Sequence, residues 1–235
     1  MTSLKILSGG AAQGLVASLA PDFKAQTGLD IAGEFGAVGA MAEKLRKGTP
    51  TDIVILTAAL VANLAEEKLV VPASIADVGL VETALAVRKG DPLVTVRDEA
   101  DLREALLASG AIFVPDTKAS TAGIHVAKVL AQIGVADAVA SRLKIYPNGA
   151  TAMHHLAASD TKRPIGCTQS TEIISTEGVV LSGSLPVGCE LSTMYTAGVT
   201  TQAANAKQAQ VLIDLLTNAD RRQLRTRAGF LNVKK

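Results

Sequence analysis

Short apolar runs alternate along this chain with stretches in which apolar residues recur every three or four positions. The first run, Leu4-Lys5-Ile6-Leu7-Ser8, stops at Gly9-Gly10 and passes at once into a pattern with Leu15, Leu19 and Phe23 on one helical face. The pattern predicts a strand, a tight turn and a helix. Asp30 to Phe35 reads as a second strand, followed by an amphipathic helix with Met41 and Leu45 on its apolar side. Asp52-Ile53-Val54-Ile55-Leu56 is apolar after its first residue, which suits a parallel strand covered on both faces, and a helix from Ala58 to Glu67 follows. Val78 to Arg88 is then a long extended segment.

The rhythm resumes with a helix around Leu102 to Ala108, a strand from Ala111 to Val114, and a helix from Gly123 to about Ile133 that the Ser120-Thr121 end of a turn-rich loop caps. Ile145-Tyr146 leads to a helix containing Met153, His154 and Leu156, and Pro164 to Cys167 leads to a short helix containing Glu172. Val179 to Ser182 is a further strand, and Glu190 to Val199 is extended. Two helices close the chain, near Asn205 to Thr217 and Ala219 to Ala228. Strands alternating with helices predict right-handed βαβ units and a parallel sheet. The expected architecture is α/β with two lobes, residues 1–82 with 195–235 and residues 83–194. Two crossing segments, near residues 82–86 and 190–195, join the lobes, hinge them and leave a cleft between them.

Five turns carry the candidate chemistry. They are Gly9-Gly10-Ala11, Gly36-Ala37-Val38-Gly39, Ser120-Thr121-Ala122-Gly123, Asn148-Gly149-Ala150-Thr151 and Thr168-Gln169-Ser170-Thr171. Each follows a strand and opens a helix, so each leaves backbone N–H groups unpaired at the positive end of a helix dipole. Such turns bind small anions.

Composition narrows the classes. Of 235 residues 48% are hydrophobic and 3% aromatic, a globular rather than disordered balance. With 23 basic and 22 acidic side chains the net charge is +1, which excludes a strongly charged surface for nucleic acid. Arg221, Arg222, Arg225 and Arg227 read as a solvated helix face. Cys167 and Cys189 form no CxxC pair and the three histidines lack ligand spacing, so neither metal nor cofactor is expected. GxxxxGK[ST], GxGxxG and GxSxG are absent. Met1-Thr2-Ser3 leaves no room for an export signal, which predicts a cytoplasmic location, or a periplasmic one only where a signal has been removed.

The order of elements and four stretches together carry a resemblance. The stretches are Gly48-Thr49-Pro50-Thr51-Asp52-Ile53-Val54-Ile55, the Thr-Ala-Gly-Ile-His-Val-Ala-Lys-Val-Leu run at 121–130, Gly149-Ala150-Thr151-Ala152 and Ile165-Gly166-Cys167-Thr168. Over nearly its whole length the chain resembles the molybdate-binding members of the type II periplasmic binding proteins. That resemblance implies a small anion in the cleft, and a permease partner where the protein is exported. In that family the first turn supplies a serine hydroxyl where this chain has Ala11, the second a serine run where it has Gly36-Ala37-Val38-Gly39, and the last a tyrosine where it has Gln169. A buried oxyanion left short of donors loses roughly 1–3 kcal/mol per missing partner. The expected ligand is therefore an organic carboxylate, held by N–H groups around Gly9, Gly10, Ala11, Ala37, Val38, Gly39, Thr121, Ala122, Asn148, Gly149, Thr168 and Gln169.

The same group includes aconitate isomerase, and that likeness implies a second reading, an allylic proton shift on an unsaturated or keto carboxylate without a cofactor. Such a reaction needs one group to take a proton and one to return it. His125, Cys167, His155 and Tyr146 are the candidates, with Asp116 and Glu172 as further titratable groups. The histidines and the cysteine have plainer alternatives. His125 suits a hydrogen-bonded wall residue and Cys167 a small buried hydrophobe. His154 and His155 point about 100° apart on a helix, so at most one faces the cleft.

Overall fold

A computed structural model describes residues 3–231. Met1 and Thr2, on which the expected cytoplasmic location partly rests, lie outside the described residues. The elements run β1 Ser3–Gly9, α1 Gln13–Thr27, β2 Asp30–Gly36, α2 Val38–Arg46, β3 Ile53–Thr57, α3 Ala58–Glu66 and β4 Ala76–Arg88. They continue with α4 Glu99–Ala108, β5 Ile112–Pro115, α5 Thr121–Gln132, α6 Ala136–Val139, β6 Leu143–Tyr146, α7 Gly149–Ala157, β7 Ile165–Gln169 and α8 Ser170–Ile174. The last are β8 Val179–Ser184, β9 Ser192–Val199, α9 Ala206–Thr217 and α10 Arg222–Arg227. Two compact units divide them: the first takes the chain up to Val81 and resumes at Thr193, and the second is Glu82–Ser192.

In the first unit the strand order is β2-β1-β3-β9. β1 runs parallel to β2 and β3, and β9 runs antiparallel to β3 with Ile55 opposite Ala197. Ile53, Val54, Ile55 and Leu56 are all fully buried, as a strand covered on both faces requires. α1 sets Leu15, Leu19 and Phe23 against this core from positions four apart, and α9 adds Leu212, Ile213 and Leu216. α1 ends at Gly28, whose φ of 73° takes the left-handed conformation while its N–H donates to the Lys24 carbonyl. The buried carboxylate of Asp52 accepts from the N–H of Lys5 and from the N–H of Asn205, each at 2.8 Å. It joins the strand layer to the start of α9.

In the second unit β7 lies between β4 and β5, β6 lies beyond β5, and β8 also pairs with β4. β5 is parallel to β6 and β7, whereas β4 is antiparallel to β7. The parallel pairing expected of βαβ units holds for β1 with β2 and β3 and for β5 with β6 and β7, and antiparallel strands join it in both units. β4 and β9 are not strands of βαβ units, so nothing in a crossover connection sets their direction. Alternation along the strands divides the second unit's core into two faces. One holds Leu85, Ile112, Val114 and Cys167 under α5; the other holds Ala84, Ala86, Phe113 and Ile173 under α7, with Met153 and Leu156. No single helix among the described residues is long and apolar enough to cross a membrane.

Candidate functional site

In the first unit the chain leaves β1 at Gly9, makes one 3-10 turn over Gly10–Ala12 and enters α1. No side chain caps either start. A Cβ on Gly9 would stand 2.7 Å from Val38 Cγ1 and 2.8 Å from Tyr195 Cε1. Only glycine lets this turn, the start of α2 and the ring of Tyr195 meet there. Ala37 occupies the N-cap of α2, again without a side-chain bond. Gly9, Gly10, Ala11, Ala37, Val38 and Gly39 therefore offer backbone groups alone. Tyr195 reached the turn unforeseen, since alternation placed it only on one side of an extended segment.

In the second unit the candidate turns are not equivalent. At α5, Asp116 shapes the approach by accepting from the N–H of Lys118 and Ala119 at 2.7 and 3.0 Å. Ser120 holds the N-cap position in extended conformation, yet its side chain makes no cap bond, contrary to expectation. The N–H groups of Thr121 and Ala122 stay at an uncapped helix start.

At α7 the N-terminus is occupied by the chain itself. Asn148 Oδ1 accepts from the Thr151 N–H at 2.8 Å. The carboxylate of Glu172 accepts from the N–H groups of Gly149, Ala150 and Gln169, and from the Thr168 hydroxyl at 2.6 Å. A Cβ on Gly149 would lie 1.9 Å from Glu172 Oε2, so glycine is required for the carboxylate to dock. Burial pushes the Glu172 carboxyl above its ordinary range, while the hydroxyl and the three N–H donors pull the other way. The Gly149 N–H and the Thr168 hydroxyl thus serve an internal carboxyl group, and the Asn148 side chain caps α7. α8 is a single short turn beyond Gln169.

The four candidate catalytic side chains are not brought together. Cys167 is buried under α5, and burial pushes its thiol up to about 12, so no thiolate forms near neutrality. Nε2 of His125 lies 2.8 Å from the Cys189 carbonyl oxygen and donates to it, which fixes the ring to the second unit's own loop. Tyr146 and His155 belong to the other face, where Tyr146 stacks on Phe113 at 6.0 Å and on His155 at 4.3 Å between centroids. His154 and His155 are both exposed. Among the described residues no group of three or more His, Cys, Asp or Glu side chains could hold a metal ion.

Gln169 differs from its neighbours. It is 3% exposed, and neither its amide oxygen nor its amide nitrogen has a partner among the described residues. The same holds for the hydroxyls of Thr83 and Thr171, at 1% and 3%. Thr83 stands directly opposite Gln169 in the β4–β7 ladder, two residues along from the Leu85–Cys167 pair. Side chains alternate, so Thr83 and Gln169 share the face that carries α5. Sequence reasoning missed Thr83, because a threonine within an extended apolar run reads as an ordinary strand former.

Comparison with known proteins adds four findings. A family model described as bacterial extracellular solute-binding protein matches residues 4–231. Aconitate isomerase from a Pseudomonas species is 24% identical over 230 residues, covering 94% of this chain and 84% of its own. The molybdate-binding protein ModA of Escherichia coli (strain K12) is 22% identical over 225 residues, covering 90% and 82%. Among solved structures, the periplasmic molybdate-binding protein of Azotobacter vinelandii superposes with a TM-score of 0.81 at 17% identity, covering 99% of this chain and 100% of that one. The fold is the two-lobed type II periplasmic-binding fold of the molybdate-binding kind.

Proposed function

The chain belongs to the bacterial extracellular solute-binding proteins, and from that premise we propose that the small anion it binds is an organic carboxylate. The observation that carries this reading is the state of its helix starts. α2 and α5 begin without a side-chain cap, at Ala37 and Ser120, and α1 continues a 3-10 turn that no side chain caps, so no side chain occupies these starts, and the turns before α1 and α2 contribute no hydroxyl. A tetrahedral dianion spreads its charge over four oxygens and calls for side-chain donors as well. A carboxylate is satisfied by paired N–H groups and brings a carbon body that small side chains accommodate. The name of the relative from Pseudomonas, aconitate isomerase, supports a carboxylate.

Calorimetry of the purified chain with di- and tricarboxylates against molybdate, tungstate and sulfate tests the proposal. Heat of binding is expected with the organic acids. Binding of molybdate alone would overturn it. A second reading, proton-transfer isomerisation, draws support from that relative's name. It draws none from His125, Cys167, His155 and Tyr146, which lie on two faces of one sheet.

A further inference from the structure

We infer that Thr83 and Gln169 form a polar subsite beside the N-terminus of α5 that reads an uncharged hydroxyl on the ligand, so that the protein selects hydroxy acids over their unhydroxylated counterparts. The inference rests on the carboxylate reading and narrows it. Two residues directly opposite in an antiparallel ladder, both nearly fully buried, hold three polar side-chain atoms with no partner among the described residues. Buried polar groups are otherwise satisfied almost without exception, so such a set marks a place where something else completes the bonding.

What completes it follows from the atoms. Gln169 Oε1 only accepts, Nε2 only donates, and the Thr83 hydroxyl does either. An ionised carboxylate or an oxyanion accepts only, so it could satisfy Nε2 and never Oε1. A hydroxyl donates once and accepts twice, which matches the amide and the threonine together. The uncapped start of α5, on the same face of the sheet, supplies the donors that an ionised carboxylate needs. One ligand with a carboxylate and a neighbouring hydroxyl answers both. Thr171, the next buried hydroxyl without a partner, lies two residues beyond Gln169 at the start of α8.

The test uses the full chain and two apolar near-isosteres, Thr83→Val and Gln169→Leu, with malate against succinate and citrate against tricarballylate as probes. Ligand-free, both variants are expected to melt at the temperature of the parent or above it, because each removes a polar group that the protein leaves unpaired. The parent is expected to bind the hydroxy acid of each pair about tenfold tighter, and either variant to reduce that ratio to about threefold or less. Variants that melt well below the parent would overturn the subsite, since they would show the groups to be satisfied and structural. Tight binding of the acids with no preference within either pair would overturn the subsite while leaving the carboxylate reading intact. Binding of no organic acid would defeat both.

Discussion

Glu172 is 5% exposed, and its carboxyl group takes bonds from Thr168, Gly149, Ala150 and Gln169. Its pKa in the folded chain is raised, chiefly by burial, so between the ordinary carboxylate range and the raised value the folded state holds more protons than the unfolded one. Its contribution to stability is then fully present below the ordinary range and is lost as pH rises through the folded value. Glu172→Gln is expected to flatten that part of the profile, measured as the urea midpoint against pH. Glu172→Ala should cost about 2–4 kcal/mol below that window, because it strands buried donors, and less as pH rises through it. The two cysteines give a second check at this scale. Burial raises both thiols, Cys167 to about 12, and the Glu99 carboxylate adds to the effect at Cys189. Neither should react with an aromatic disulfide reagent at neutral pH until urea unfolds the chain. Prompt reaction of one thiol in the native protein would refute this.

Helix starts are the elements on which the site depends, and the sequence located them well. β1 stops at Gly9, and the helices α2, α5, α7 and α8 begin after Ala37, Ser120, Asn148 and Gln169, where the apolar runs end in small or turn-forming residues. What the sequence did not disclose is which starts are occupied. Glu172 reaches the start of α7 from a different element, and no local pattern reports a contact made through the tertiary fold. The difference between α5 and α7 can be tested with two substitutions. Ser120 has φ −93° and ψ 135°, the conformation that proline tolerates before it, and Thr121 is the first helical residue, where a missing N–H breaks no helix bond. Thr121→Pro should therefore change stability by about 0.5 kcal/mol or less and weaken carboxylate binding about tenfold by deleting one donor. Asn148→Ala should do the reverse, costing about 1 kcal/mol through the lost cap and leaving affinity unchanged. Melting curves and titrations on the two variants decide whether α5 receives the ligand.

At the scale of the molecule, the α/β rhythm was legible because buried strands and amphipathic helices have different periods. The antiparallel entry of β4 and β9 was not, since extended segments carry no mark of direction. The ligand is harder still, for it depends on which polar atoms packing leaves unpaired, and Thr83 and Gln169 acquire that status only once β4 lies beside β7. Period-two alternation could have separated Cys167 from Tyr146 and His155, but only with the faces of the sheet already known. That separation carries the last prediction. A proton shift on a bound acid needs a base and an acid within reach of one carbon. Here the Cys167 thiol stays protonated, the Nε2 of His125 is engaged with a carbonyl, and Tyr146 and His155 stack on the opposite face. Proton NMR of the chain with citrate and cis-aconitate in deuterated water is therefore expected to show binding without exchange or isomerisation above the rate in buffer. Exchange that vanished in His125→Ala would overturn this.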